Sequence, residues 1–373
     1  MSPAAKYQDL ASVLRQQIET GVYGPGDRTP SENALAVRFG VSRPTAARAL
    51  RELEGAGLVV RRAGSGTFVR RPGVRKGTRP ERTFGLLVQG LGATEVLDPI
   101  CTEITRSCQS NGSTVLWGGV DRPTDAVEEL DRLSQYYLDR KVDGVFFAPL
   151  ETAVDRERDN ARVAEALSEA GIAVILLDRE LVDFPGRSGF DLVGMDNFEA
   201  GLRLGEYLLE VGHRTISFLS RPHHPSTTDL RVLGVWTALQ RADATPDATW
   251  HVSGDPLDFD LVRELATARG AHAVVCANDL TAALLIQTLQ RLGLSVPADM
   301  AVVGFDDVGY STLLSVELTT MRQPCRGIAR AAVGAMHDRL EHPDMEPRQI
   351  LLKSDLMVRQ SCGGPSGSVD GAA

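Results

Sequence analysis

The sequence lacks the marks of a membrane, secreted, metal-binding or catalytic chain. It has no apolar run long enough to span a bilayer and no apolar segment near its start. The expectation is therefore a cytoplasmic protein with no membrane partner. The five cysteines (Cys101, Cys108, Cys276, Cys325, Cys362) are odd in number and form no Cys-x-x-Cys pair. They read as buried or free thiols in a reducing compartment. Of seven histidines only His223 and His224 are adjacent, without acidic or cysteine partners at ligand spacing, so no metal and no cofactor is expected. G-x-S-x-G, H-E-x-x-H and the P-loop are all missing, which removes the commonest hydrolase and nucleotide motifs. Residues 83–362 hold two lysines, Lys141 and Lys353. Neither sits where a pyridoxal phosphate enzyme would carry its aldimine lysine. No internal repeat is evident.

What is present is an uneven charge. Residues 1–82 carry 15 Lys+Arg against 7 Asp+Glu, while the remainder carries 25 against 42. One end attracts polyanions and the other repels them. Within the basic end, Pro30-Ser31-Glu32-Asn33-Ala34-Leu35 through Phe39-Gly40 and Val41-Ser42-Arg43-Pro44-Thr45-Ala46-Ala47-Arg48-Ala49-Leu50 reads as two short helices and a tight turn. Ser31 and Ser42 are placed to cap them, and Pro44 is tolerated in a first turn. Gly40 suits a turn residue with positive φ. Ala34, Leu35 and Phe39 would form the apolar face of the first helix, and Ala46, Ala49, Leu50 and Leu53 that of the second. Arg43, Thr45 and Arg48 are left for base edges and phosphates. Downstream, Gly57-Leu58-Val59-Val60-Arg61-Arg62-Ala63-Gly64-Ser65-Gly66-Thr67-Phe68-Val69 reads as a hairpin with a glycine-rich tip. Arg61 and Arg62 add charge, and Gly66 lets backbone approach a duplex closely. Upstream, Tyr7 to Ile18 is an amphipathic helix.

These residues resemble the GntR family of winged helix-turn-helix regulators. The shared pattern is a tyrosine-led helix, then Gly21-x-Tyr23-x-Pro25-Gly26-Asp27, Pro30-Ser31-Glu32, Val41-Ser42-Arg43-x-Thr45, and the Gly64-x-Gly66-Thr67-Phe68-Val69 wing. Thr29 stands where the family usually has Leu, and Ala47 where it commonly has Arg. The resemblance implies DNA contacts by Arg43, Thr45 and Gly66, with Arg48 displaced about 100° round the helix from Ala47.

Residues 83–362 alternate short apolar runs with amphipathic stretches. Strands are expected at 84–88, 114–117, 144–148, 173–177, 192–194, 215–219, 273–276 and 301–305. That alternation predicts an α/β fold of parallel sheets covered by helices, and its length suggests two lobes. Ligands then bind at strand carboxyl ends, across the cleft. Polar residues collect there: Asp178-Arg179, Arg231, Asn278-Asp279, Asp306-Asp307 and Gln323. Carboxylates, guanidinium groups and amides suit a polyhydroxylated ligand. Phe259 or Phe305 could supply a platform for a sugar ring, while Asp279 could equally cap a helix beginning at Leu280.

The order of Asp196-Asn197, Val211-Gly212-His213-Arg214, Ala277-Asn278-Asp279, Gly304-Phe305-Asp306-Asp307 and Thr320-Met321-Arg322-Gln323-Pro324 resembles the effector domain of LacI/GalR regulators and periplasmic sugar-binding proteins. The resemblance implies that Arg179, Arg231, Asn278, Asp279, Asp306 and Gln323 line a cleft, with a contribution from the loop Gln89 to Pro99. The joint architecture is similar to that of arabinose repressors. It implies a homodimeric, sugar-responsive transcription factor on an inverted-repeat operator. A purine corepressor would invert the response. An enzyme fused to the head and a transport-type solute binder are the other function classes. The expected division is a head at 1–71, a basic flexible linker at 72–82, a sensor at 83–362 and a disordered tail at 363–373.

Overall fold

The computed structural model describes residues 10–15, 17–18, 23, 27–55, 58–62, 66–69, 81–89, 95–118, 125–151, 155–244, 246, 248–267, 270–364 and 367–368. The chain divides into two compact units, residues 1–79 and 80–373.

In the first unit, α1 (Glu32–Phe39) begins at Ser31, whose hydroxyl accepts from Ala34 N at 3.2 Å, and ends at Gly40 with φ 62°. Helix α2 (Arg43–Gly55) starts after Ser42, whose Oγ accepts from Thr45 N at 3.4 Å. Its Ala46, Ala49, Leu50 and Leu53 are buried against Leu10, Ala11, Leu14, Leu35 and Val59. The expected apolar face of α1 is narrower than its sequence suggested: Leu35 is buried and Phe39 packs on this core, but Ala34 is exposed. The hairpin β1 (Val59–Arg62) and β2 (Gly66–Val69) pairs Val59 with Val69 and Arg62 with Gly66. Its tip, residues 70–80 and most of the loop at 19–26 lie outside the described residues. Arg82, expected to end the linker, is already part of the second unit, its carbonyl accepting from Thr114 N at 2.8 Å.

The second unit holds two sheets. The first has the order β13-β7-β6-β5-β3-β4, with β3 (Thr83–Leu87), β4 (Thr114–Leu116), β5 (Gly144–Phe147), β6 (Ala173–Leu177), β7 (Asp191–Met195) and β13 (Gln349–Leu352). Every pair in it is parallel. The second has the order β15-β14-β12-β11-β10-β8-β9. Here β8 (Ile216–Ser220), β9 (His251–Ser253), β10 (Ala273–Cys276), β11 (Ala301–Asp306) and β12 (Thr319–Arg322) are parallel. β14 (Asp355–Val358) and β15 (Gly367–Ser368) are antiparallel additions at one edge. All eight expected sensor strands are present within one or two residues. β12 was expected only through the polar residue at its end, Gln323; β9, β13, β14 and β15 were not anticipated, and β15 puts a strand inside the segment expected to be a disordered tail.

The chain passes between the lobes three times: from β7 into α6 (Asn197–Glu210), from β12 into α10 (Cys325–Glu341), and from β13 into β14. The first and third passages are tied together, since Asp196 N donates to Leu352 O at 2.9 Å. Asp196 also caps α6 through Glu199 N. Helix α6 lies directly on α7 (Ser226–Arg241), and glycines set their closeness. A Cβ at Gly201 would collide with Arg231 O, and one at Gly234 with Phe198 O. By contrast Gly334, exposed on α10, has nothing within 4 Å of an added Cβ.

Gly234→Ala should therefore cost roughly 3 kcal/mol, because rigid backbone must move. Gly334→Ala should gain about 0.5–1 kcal/mol by restricting the unfolded chain. Chemical denaturation of the two variants checks both signs.

Candidate ligand cleft and DNA-binding face

In the head, side-chain chemistry gathers at the start of α2. Arg43 is 69% exposed and makes an ion pair with Glu32 of α1 at 3.4 Å. It is therefore exposed but tethered, not free. The hydroxyls of Ser42 and Thr45 are 2.8 Å apart, and Arg48 is exposed further along the helix. Arg61 and Arg62 lie in β1 opposite Thr67 and Gly66; their side chains are outside the described part. Gly66 has φ 114°, and an added Cβ would press on the Arg28 guanidinium. Its glycine thus has a structural reason as well as the DNA contact expected of it. Thr29 is explained too: it is buried, and its Oγ1 and N both donate to Thr67 O, at 3.1 and 2.9 Å. A leucine there could make only the backbone bond.

In the sensor, a cavity of about 810 Å³ opens between the lobes at the carboxyl ends of both sheets. Five of the six expected ligand residues line it: Arg179, Arg231, Asn278, Asp306 and Gln323. Asp279 does not. It is fully buried behind the wall, its carboxylate accepting from Thr320 Oγ1 at 2.6 Å and Val308 N at 3.1 Å. The helix cap is Asn278, whose Oδ1 accepts from Thr281 N at 2.9 Å. Neither expected platform ring faces the cavity. Phe305 is buried under Arg231, whose guanidinium carbon lies 4.7 Å from the ring centre, and Phe259 sits 39% exposed on α8 (Phe259–Ala266). Among the described lining residues the one phenyl-type ring is Tyr310.

Arg231 is fixed on three sides. Nε donates to Asn197 Oδ1 at 2.8 Å, Nη1 to Ala277 O at 2.6 Å, and Nη2 reaches Asp306 Oδ1 at 3.5 Å. From the other lobe, Arg179 pairs with Asp178 at 2.7 Å and Glu151 at 2.5 Å. Two acceptors remain without a donor, Asp178 Oδ1 and Gln323 Oε1, both buried. Backbone strain collects at the same place. Of six non-glycine residues with positive φ among the described residues, Asp178 (70°), His223 (59°) and Asp306 (113°) line the cavity and Asp307 (54°) adjoins it. Such conformations cost about 1–3 kcal/mol each and persist where surrounding contacts impose them.

Burial pushes the Asp306 carboxyl up to about 6, against the lowering influence of Arg231; Asp178 across the cleft raises it further. At Asp307 burial works the same way but is outweighed by hydrogen bonds from Arg359 and Arg322, and its carboxyl titrates below the usual range. Asp178 was expected at a strand end facing the cleft, though not in the set of ligand residues, and it lines the cavity. Glu151, the loop 221–225 and Tyr310 were not assigned from sequence; the His223-His224 pair was visible, but nothing in the sequence placed it at the cleft.

Residues 6–69 match the GntR family of bacterial regulatory proteins, and residues 206–362 match a periplasmic binding protein-like domain. The chain joins a GntR-type head to a periplasmic-binding-protein-like sensor. It is 27% identical over 370 residues to the arabinose metabolism transcriptional repressor of Geobacillus stearothermophilus, covering 95% of this chain and 97% of that one. Over 172 residues it is 33% identical to the transcriptional repressor PurR of Pectobacterium carotovorum, 45% of this chain and 50% of that one. Among solved structures, the transcriptional regulator CelR in complex with cellobiose aligns with a TM-score of 0.63 at 25% identity, covering 89% of this chain and all of that one. The chain is a ligand-controlled, DNA-binding transcriptional regulator, not an enzyme. Among the described residues no helix is long and apolar enough to cross a membrane.

An acid whose pKa is raised by folding stabilises the fold below its unfolded value, near 4, and loses that contribution as pH rises through about 6. Stability should therefore fall as pH rises from 4 to 7.5, and Asp306→Asn, which cannot ionise, should flatten that fall. Thermal unfolding of both proteins at the two pH values checks it.

Proposed function

We propose that the chain is a cytoplasmic, homodimeric repressor whose hold on an inverted-repeat operator is controlled by a monosaccharide in the sensor cleft. The observation that carries this reading is the pair of buried acceptors, Asp178 Oδ1 and Gln323 Oε1, left without donors on a cavity wall. A buried acceptor without a partner costs about 1–3 kcal/mol. A ligand rich in hydroxyls supplies the missing donors, and each hydroxyl also accepts from Arg179, Arg231 or the Asn278 amide. In this reading Arg43, Thr45, Arg48 and the wing contact DNA, and residues 72–82 tether the two units.

Sugar recognition is also the theme of two relatives' names, one an arabinose metabolism repressor and one a complex with cellobiose. The PurR relative favours a second reading, a purine corepressor. A flat nucleobase is held best by stacking, for which the lining offers the phenol of Tyr310 and the imidazoles of His223 and His224; the unpartnered acceptors favour hydroxyls. Control requires that ligand and operator favour different states of one equilibrium. Three chain passages between the lobes allow hinge closure to be that equilibrium.

Operator binding by the full chain, titrated with pentoses, hexoses and purines, tests the proposal. A sugar should shift the operator Kd tenfold or more; a response to purines alone would move the protein to the second reading. Arg43→Ala should weaken operator binding by about 1–3 kcal/mol, read by fluorescence anisotropy. Gln323→Leu should lower sugar affinity about tenfold, because it removes the free acceptor Oε1 and also the Nε2 that donates to Asp306 Oδ1 at 3.4 Å.

A further inference from the structure

The charges in the cleft are unevenly matched. Arg179 faces two carboxylates, Asp178 and Glu151, and Arg231 faces Asp306. Glu95 is engaged with the Tyr310 hydroxyl. Arg221, which also lines the cavity, has no carboxylate partner among the described residues. It opens the loop between β8 and α7, where His223 holds a left-handed backbone at φ 59°.

That loop leads into the N-terminus of α7, a 16-residue helix whose cap position is Pro225 and whose first turn receives no side-chain hydrogen bond. Amide N–H groups at such an end carry partial positive charge. Thr227 and Thr228, in the same turn, are 5% and 3% exposed and line the cavity. Neither hydroxyl has a hydrogen-bond partner among the described residues. Asp229, the acid of that first turn, is not on the cavity wall; its carboxylate lies 3.8 Å from His224 Nδ1. An unpaired guanidinium, an uncapped helix end and the hydroxyls of two buried threonines therefore share one wall.

We propose that the ligand is an anionic sugar, with its phosphate or carboxylate seated at the start of α7 among Arg221, His223, Thr227 and Thr228. This rests on the sugar reading above and narrows its ligand class. The hydroxylated ring occupies the region of Asp178, Asp306 and Gln323. The anion takes charge-assisted hydrogen bonds from Arg221 and the helix end, which are about twice as strong as neutral ones.

Calorimetric titration of the full chain tests it, using D-ribose, L-arabinose, D-glucose and D-galactose, each beside its terminal phosphate ester and its sugar acid. The best anionic ligand should bind at least tenfold tighter than its neutral parent. Arg221→Ala should reduce that ratio at least fivefold, as should Thr228→Val, which removes a hydroxyl at nearly constant shape. Preference for the ester identifies a phosphate seat, and preference for the acid a carboxylate seat. Neutral parents that bind as tightly as their anionic forms, or a ratio retained in Arg221→Ala, overturn the anion seat and leave the sugar reading standing. No binding by any member of the panel overturns both.

Discussion

The guanidinium of Arg231 is buried, and each of its three donor directions ends on a different element. One bond goes to Asn197 at the first passage between the lobes, one to the carbonyl that follows β10, and one contact to Asp306 at the end of β11. Its plane covers Phe305, and its own carbonyl lies where a side chain at Gly201 would have to go. A buried charge of this kind is costly unless it is paired and fully hydrogen-bonded. The surrounding residues are therefore constrained together: glycine at 201, an amide at 197, a carboxylate at 306. The helix pair α6–α7, the strand ends and the hinge all meet at this side chain.

The opposite economy holds on the cavity wall itself. Asp178 and Gln323 each leave an acceptor unsatisfied, Asp306 is held partly protonated by burial, and positive φ is imposed on three lining residues. Each of these features weakens the fold, and strain of this kind clusters at ligand clamps and active sites. Their concentration at the carboxyl ends of two facing sheets is what a preformed binding site looks like before its ligand arrives.

Much of the fold was legible because its signals are local. Central parallel strands such as Val274-Val275-Cys276 are continuous apolar runs, and the caps at Ser31 and Gly40 are single-residue signatures. The strands that escaped notice are short or at edges, and Gln349–Leu352 joins the first sheet only after the chain has crossed from the second lobe. Cavity-lining residues on strand ends were legible by motif, but side-chain direction was not. Asn278 and Asp279 are neighbours, yet one lines the cavity and caps a helix while the other is turned inward to Thr320. Phe305, within β11, is turned into the core by strand alternation. The loop Arg221 to Pro225 has no periodicity at all, so only the fold could bring it to the cleft.

The central claim is a free-energy coupling between sensor and head, and reciprocity tests it most directly. Operator Kd would be measured with and without saturating ligand, and ligand Kd with and without operator, all on the full chain at one salt concentration. The account predicts that each ligand alters the other's affinity by the same factor, tenfold or more. An operator Kd that stays constant at ligand saturation would contradict it.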